Sequence, residues 1–96
     1  MSKPTAAHQR HYDKVSRLGC IVCRNMRFRD SPAELHHPRA LGSAGKKADN
    51  MSVIPLCPQH HRLGGYGEAI HAGKESWEAI HGTELDLLAQ VKELVK

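Results

Sequence analysis

The chain has 96 residues, of which 40% are hydrophobic and only 4% are aromatic, and its formal net charge is +4. A single small domain is what such a length allows, and a core this thin usually needs a metal or disulfides to stabilise it. No stretch approaches the roughly 20 apolar residues of a membrane span. We therefore expect one domain over residues 1–96 that has no membrane partner.

The first residues, MSKPTAAHQR, are polar and do not resemble a secretory leader. Three cysteines cannot all pair as disulfides, so reduced thiols in a soluble, cytoplasmic protein are the expectation. Eight histidines accompany these thiols. Together they favour metal binding over disulfide bonding.

Basic residues are concentrated in the first half of the chain. Ten of the 14 Lys and Arg residues, but only three of the ten acidic residues, lie within residues 1–47. This asymmetry suggests a face turned towards a polyanion such as DNA. Ordinary solvated surface charge is the alternative.

Apolar spacing and breaker residues predict the elements of the first half. Residues 5–18 predict a helix that ends at Gly19, and CIVC predicts a tight turn. AELHH and SVIPL predict two short strands, joined by the loop PRALGSAGKKADN. Pro55 confines the second strand to a sheet edge or a strand end.

Three helices are predicted after the second strand. CPQHHRL opens a short one, and residues 74–81 form another that buries Trp77 and Ile80. Thr83 and Asp86 resemble a capping box that starts the last helix. Its apolar stripe comprises Leu87, Leu88, Val91, Leu94 and Val95.

Two cysteine-containing half-sites predict a structural zinc site. Cys20 and Cys23 form one C-x-x-C pair, and Cys57 and His60 form a matching C-x-x-H pair. Zinc takes four tetrahedral S or N ligands, and each two-residue spacer lets one turn supply two of them. A redox C-x-x-C motif or three unrelated buried thiols are the alternatives.

The remaining histidines suggest a second metal site. Adjacent residues of a strand point to opposite faces, so His36 and His37 have different surroundings. On a helix His61 projects about 100° away from His60, so it can serve a second metal if His36 reaches it. His37 would then be free to act as a general base, a task that suits an imidazole side chain near neutral pH. A surface imidazole that caps a loop is the alternative.

The order ELHH, N, LCPQHH resembles the motif of the HNH, or ββα-metal, endonucleases. The cysteines resemble the subgroup of these enzymes that carries a structural zinc. GCIVC, LHH, VIPLCPQHH and WEAIHG are similar to the phage Ref proteins, which are recombination-enhancement nucleases that cut DNA at RecA filaments. The resemblance covers about Leu18 to Val91. It implies a small α+β fold, namely a zinc-stapled ββα-metal domain with flanking N- and C-terminal helices.

The resemblance also implies roles for individual residues. His37 would be the general base, and His36, His61 and His71 would hold a catalytic Mg, Mn or Zn ion. His71, ten residues after His61, is the best candidate for the third ligand. This departs from many HNH sites, in which the last ligand lies four residues after the previous one, a position that Gly65 occupies here. Asn50 or Ser52 would fill the middle position of the motif and orient the base, and Glu34 would support the site.

The reaction implied is hydrolysis of DNA phosphodiester bonds, in a bacterial host that carries the phage or prophage gene. The cation would stabilise negative charge on the phosphate while His37 activates water. Basic residues would hold phosphates with little sequence preference; the candidates are Arg27, Arg29, Arg39, Lys46 and Lys47. The resemblance also implies a RecA filament as a partner.

Two non-catalytic functions compete with this interpretation. A zinc-stapled DNA-binding module explains the cysteines and the basic half, and a protein-recruiting module explains the zinc alone. Neither explains the second histidine set, because DNA binding or recruitment needs no exposed base beside a metal.

Overall fold

The computed structural model describes residues 6–28, 31–38 and 52–96. The helices are α1 (Ala6–Arg17), α2 (Ile21–Asn25), α3 (Lys74–His81) and α4 (Glu84–Leu94). The strands are β1 (Glu34–His36) and β2 (Ile54–Leu56). A single π-helical turn (Gln59–Leu63) and a 3-10 turn (Ile70–Ala72) lie between β2 and α3. The protein thus has the small α+β fold that was predicted.

The sheet consists of β1 and β2, which pair antiparallel with Leu35 opposite Pro55 and His36 opposite Ile54. Both strands of a two-stranded sheet are edges, so Pro55 fits without loss of an inner ladder bond. His36 is buried and His37 is exposed, as strand alternation predicts. The sheet therefore directs His36 inward and His37 outward.

The turn after β2 fixes the direction of two consecutive histidines. The Gly64 N–H donates to the carbonyl of Gln59 at 2.9 Å, which closes the π-helical turn. A Cβ at Gly64 would lie 2.4 Å from that carbonyl oxygen, so only glycine fits there. Within this turn His60 is buried and His61 is partly buried.

The core joins the sheet to residues from α1, α2, α3 and α4. Its buried members include Val15, Val22, Ile54, Trp77 and Val91. Trp77 is fully buried, and its indole N–H donates to the Glu68 carbonyl at 3.1 Å. Packing of these helices on one small sheet positions the cysteine and histidine side chains that gather in two clusters.

Two of the sequence-based expectations were wrong. CIVC is not a bare turn, because Cys20 caps the short helix α2 and Cys23 lies within it. Ile80 is not buried with Trp77: its side chain is 65% exposed, since it lies on the outer side of α3. In the ranges described here, no helix has the length and apolar character to cross a membrane.

The capping of α4 was predicted correctly. The Thr83 hydroxyl accepts the Asp86 N–H at 3.1 Å, and Leu87, Leu88 and Val91 are buried. Since Glu84 opens this helix, the cap also fixes the position of its side chain.

Two leucines of α4 provide a test of this packing. Leu88 is 5% exposed and Leu85 is 51% exposed. Leu88→Ala should lower the free energy of unfolding by about 2–5 kcal/mol, because it leaves a cavity in the core. Leu85→Ala should change it by less than about 0.5 kcal/mol. Urea denaturation of both variants measures the difference, and equal losses would contradict this orientation of α4.

Candidate active site and metal centres

Four buried donor atoms converge where the start of α2 meets the segment after β2. Cys57 Sγ lies 3.2 Å from His60 Nδ1, and Cys23 Sγ lies 3.5 Å from the same nitrogen. Cys23 Sγ is 3.8 Å from Cys57 Sγ, and Cys20 Sγ is 3.6 Å from His60 Nδ1. We call these residues the Cys₃His cluster.

The Cys₃His cluster fits a tetrahedral zinc ion. Zn–S bonds of about 2.3 Å and Zn–N bonds of about 2.0–2.1 Å give S···S edges of about 3.8 Å and S···N edges of about 3.6 Å. The observed distances lie close to these values. Burial raises the pKa of the Cys20 thiol to about 12, so a bound cation is needed to hold this sulfur as a thiolate.

Three imidazoles form a second group. His61 Nε2 lies 3.3 Å from His36 Nδ1 and 2.9 Å from His71 Nε2. All three side chains offer a nitrogen, and these nitrogens lie within 4.8 Å of one another. We call this group the His₃ cluster. The structure thus brings together the three histidines that the resemblance implied as ligands.

A buried carboxylate holds His36 from behind. Glu84 is fully buried, and its Oε2 accepts a hydrogen bond from His36 Nε2 at 2.6 Å. This bond leaves the lone pair of His36 Nδ1 directed at the cluster. Burial lowers the pKa of His36, against an opposing effect of Glu84, so the ring is neutral and able to bind metal at neutral pH.

A second carboxylate holds His61. His61 Nδ1 donates to Glu34 Oε1 at 2.8 Å, which leaves Nε2 free to face the other two histidines. Arg62 Nε donates to Glu34 Oε1 at 3.0 Å and Arg62 Nη2 donates to Oε2 at 2.6 Å. These bonds, followed by that of His61, lower the pKa of Glu34 to about 2. Carboxylates placed on the outer nitrogens of imidazoles are typical of metal-binding histidines. The His₃ cluster therefore fits a divalent cation.

The helices α3 and α4 extend this support. The Glu84 N–H donates to Glu78 Oε2 at 2.7 Å, and Lys74 Nζ lies 3.1 Å from Glu78 Oε1. Lys74 Nζ is also 4.0 Å from Glu84 Oε1. The buried carboxylate is thus held by neighbouring groups as well as by His36.

Three other predicted site residues lie in the described part of the chain. His37 is exposed next to His36, Ser52 is buried just before β2, and Arg27 is exposed after α2. Five further candidates lie outside the described residues: Arg29, Arg39, Lys46, Lys47 and Asn50.

Sequence reasoning missed Glu84 and Arg62. Glu84 lies 48 residues from its partner His36 and is the first residue of an amphipathic helix, where an acidic residue is expected for the helix dipole alone. Arg62 follows the histidine pair and had no apparent partner. No spacing rule connects either residue to the site.

The fold and the two clusters define a small α+β protein with two potential metal centres, one of cysteine and histidine and one of histidine alone. Residues 4–96 match the family described as "Recombination enhancement, RecA-dependent nuclease". The chain belongs to this family, which supports a nuclease involved in recombination. A comparison with the curated proteins gave no match.

Removal of one sulfur tests the Cys₃His cluster. The protein should hold zinc through dialysis, and Cys23→Ala should lose this zinc and unfold or nearly so, because structural zinc supplies folding free energy. Atomic emission and circular dichroism measure both effects. His36→Ala is the control, since it lies outside this cluster and should keep the zinc. Folded wild-type protein without zinc would refute the assignment.

Proposed function

We propose that this protein is an HNH-type endonuclease that hydrolyses DNA phosphodiester bonds, with residues 1–96 acting as one nuclease domain. His36, His61 and His71 would hold the catalytic cation, and His37 would be the general base. The observation that carries the proposal is the His₃ cluster, in which carboxylates orient two of the three imidazoles. DNA binding alone requires no such arrangement.

The order of the elements agrees with the ββα arrangement of HNH nucleases. β1 supplies His36, β2 pairs with it, and the turn that follows supplies His61. His71 comes from the 3-10 turn, ten residues after His61, where His61 Nε2 is within 2.9 Å. The glycine-containing loop between the two histidines thus brings His71 to His61 although their spacing is longer than the usual four residues.

The proposed chemistry divides between the two adjacent histidines. A divalent cation, Mg²⁺, Mn²⁺ or Zn²⁺, would supply positive charge to stabilise a phosphate oxygen. His37, exposed beside the ligand His36, would accept the proton of the attacking water. Asn50 or Ser52 would orient this base. Glu84 and Glu34 would keep His36 and His61 in the tautomers that direct a lone pair at the cation.

The biological setting that we propose follows from the family description. The substrate would be DNA at a recombination site, and RecA filaments would be the partner. The resemblance to the phage Ref proteins adds the proposal that the gene is of phage or prophage origin and that the protein acts in the bacterial cytoplasm. Phosphate contacts would come from the basic residues of the first half, including Arg27. A non-catalytic DNA-binding module is the function that remains if cleavage fails.

Substitution of each of the two adjacent histidines should have a different effect on the protein. His37→Ala should lower the cleavage rate about 10²- to 10⁴-fold, the usual contribution of a positioned base, and leave metal content and DNA affinity unchanged. His36→Ala removes a ligand, so metal affinity should fall and excess metal should restore part of the activity. Cleavage of plasmid DNA over a Mn²⁺ titration separates the two effects.

His8→Ala, which removes an imidazole from α1, is the control for these variants and should cut DNA normally. If His36→Ala and His37→Ala both cut as fast as wild type, the nuclease proposal fails. If only His37→Ala loses metal, the roles of the two residues are reversed.

The buried carboxylate gives a test that does not rely on cleavage. Glu84→Gln keeps the shape and the acceptor for His36 but removes the negative charge, so Mn²⁺ affinity of the zinc-loaded protein should fall about 10- to 100-fold. Calorimetric titration measures this. Glu75→Gln, an exposed acid in the first turn of α3, should have no effect. Unchanged Mn²⁺ affinity in Glu84→Gln would reduce Glu84 to a packing role.

A further inference from the structure

A basic cleft lies beside the Cys₃His cluster, at the corner between α1 and α2. Its volume is about 670 Å³, within the range of pockets that hold small ligands. Three arginines from three different local structures line it: Arg17 from the last turn of α1, Arg24 from the last turn of α2, and Arg27 after α2. Phe28 completes this wall of the cleft.

The cleft has an excess of positive charge. Its described lining contains no carboxylate, and none of the three arginines forms an ion pair with another residue in the described ranges. Three guanidinium groups close together repel one another. A polyanion would relieve this repulsion, because arginine binds phosphate through two parallel hydrogen bonds.

The backbone at Arg27 is an independent indication of a ligand. The Phe28 N–H donates to the Cys23 carbonyl at 2.8 Å and the Arg27 N–H to the Arg24 carbonyl at 3.0 Å, which is a Schellman motif. The residue at its left-handed position is normally glycine. Here it is Arg27 with φ of 67°, the only non-glycine residue with positive φ in the described part of the chain. An arginine at a position that favours glycine suggests that its side chain has a function.

Phe28 is exposed where the same motif usually buries an apolar side chain. The residue after the left-handed position commonly packs back on the helix, but Phe28 is 60% exposed. An exposed aromatic ring between arginines is the arrangement that binds unpaired bases, because every base can stack on it. Duplex DNA does not offer such a base face.

We propose that this cleft binds single-stranded DNA, with phosphates on Arg17, Arg24 and Arg27 and one base stacked on Phe28. The proposal rests on the proposed nuclease function only for its biological purpose, which is to deliver a strand to the His₃ cluster. Ser31 lines the cleft, and Glu34, which holds His61, is three residues further along the chain. Three residues span at most about 11 Å.

Binding of a fluorescent oligothymidine, measured by anisotropy without added divalent metal, tests the proposal. Phe28→Ala should weaken single-strand binding about 5- to 150-fold and leave the affinity for a duplex of the same length unchanged. Met26→Ala is the matched control, since it removes another exposed apolar side chain from the same turn, outside the cleft. It should bind both DNAs like wild type.

The charge contribution is tested by salt dependence. Removal of one arginine–phosphate interaction should flatten the slope of log K against log salt by about 0.7 for a single strand, so the triple alanine variant of Arg17, Arg24 and Arg27 should lose about two units of slope. Lys92→Ala, which removes an exposed cation of α4 outside the cleft, should leave single-strand affinity nearly unchanged.

Arg27→Gly separates binding from folding. Glycine suits the left-handed position, so the melting temperature should stay the same or rise, while single-strand affinity falls. The proposal is overturned if Phe28→Ala binds single strands normally, if it weakens duplex binding equally, or if Met26→Ala weakens binding as much. It is also overturned if the arginine variants lower stability without any change in binding. If the variants show the expected changes in binding but the wild-type protein never cuts DNA, the nuclease proposal is rejected and the single-strand binding site is retained.

Discussion

The convergence of Cys20 and Cys23 with Cys57 and His60 is the constraint on which the rest of the structure depends. A chain of this length buries a modest core, and this core has one fully buried large aromatic side chain, Trp77. The Cys₃His cluster ties the α1–α2 corner to the segment after β2. It also fixes the rotation of the π-helical turn, because His60 must face inward. The next residue, His61, then lies on a different side of the turn, with its Nε2 3.3 Å from His36 Nδ1. A structural metal site would in this way set the geometry of the proposed catalytic one.

Two carboxylates, those of Glu84 and Glu34, determine which ring nitrogens of the His₃ cluster face one another. Without Glu84 and Glu34, the hydrogen-bearing nitrogens of His36 and His61 could point at each other. With the outer nitrogens occupied, unprotonated nitrogens meet at 3.3 Å, an arrangement that a cation stabilises and that is otherwise repulsive. Burial acts in the same direction, since it lowers the pKa of His36 and keeps the ring neutral. The last helix therefore contributes to the site through a single buried residue.

Much of the fold and the grouping of the cysteines with His60 could be predicted from local signals in the sequence, whereas His71 was placed with His36 and His61 through the family resemblance. The C-x-x-C and C-x-x-H spacings, the HH pair and the Thr83 cap each act over a few residues, and the structure places them as those signals indicate. Ile80 was misjudged because helical spacing does not tell which side of α3 meets the sheet. Glu84 and Arg62 were missed because their partners are far apart in sequence, and only tertiary packing brings a first-turn glutamate against His36. The left-handed backbone at Arg27 could not be predicted either, since glycine is the residue that signals it.

The basic residues of the two halves of the chain differ in whether they form ion pairs, which gives the charge asymmetry of the sequence a structural explanation. In the second half, three of the four Lys and Arg residues pair with glutamates, namely Arg62, Lys74 and Lys96, and Lys92 forms no ion pair with another described residue. The described basic residues of the first half make no such pairs with other described residues; they are Arg10, Lys14, Arg17, Arg24 and Arg27. Acidic residues thus serve to orient histidines and anchor helices, and arginines of the first half remain available for phosphate. An even distribution of the same charges would weaken both effects, because carboxylates near the cleft would repel the strand that the arginines attract.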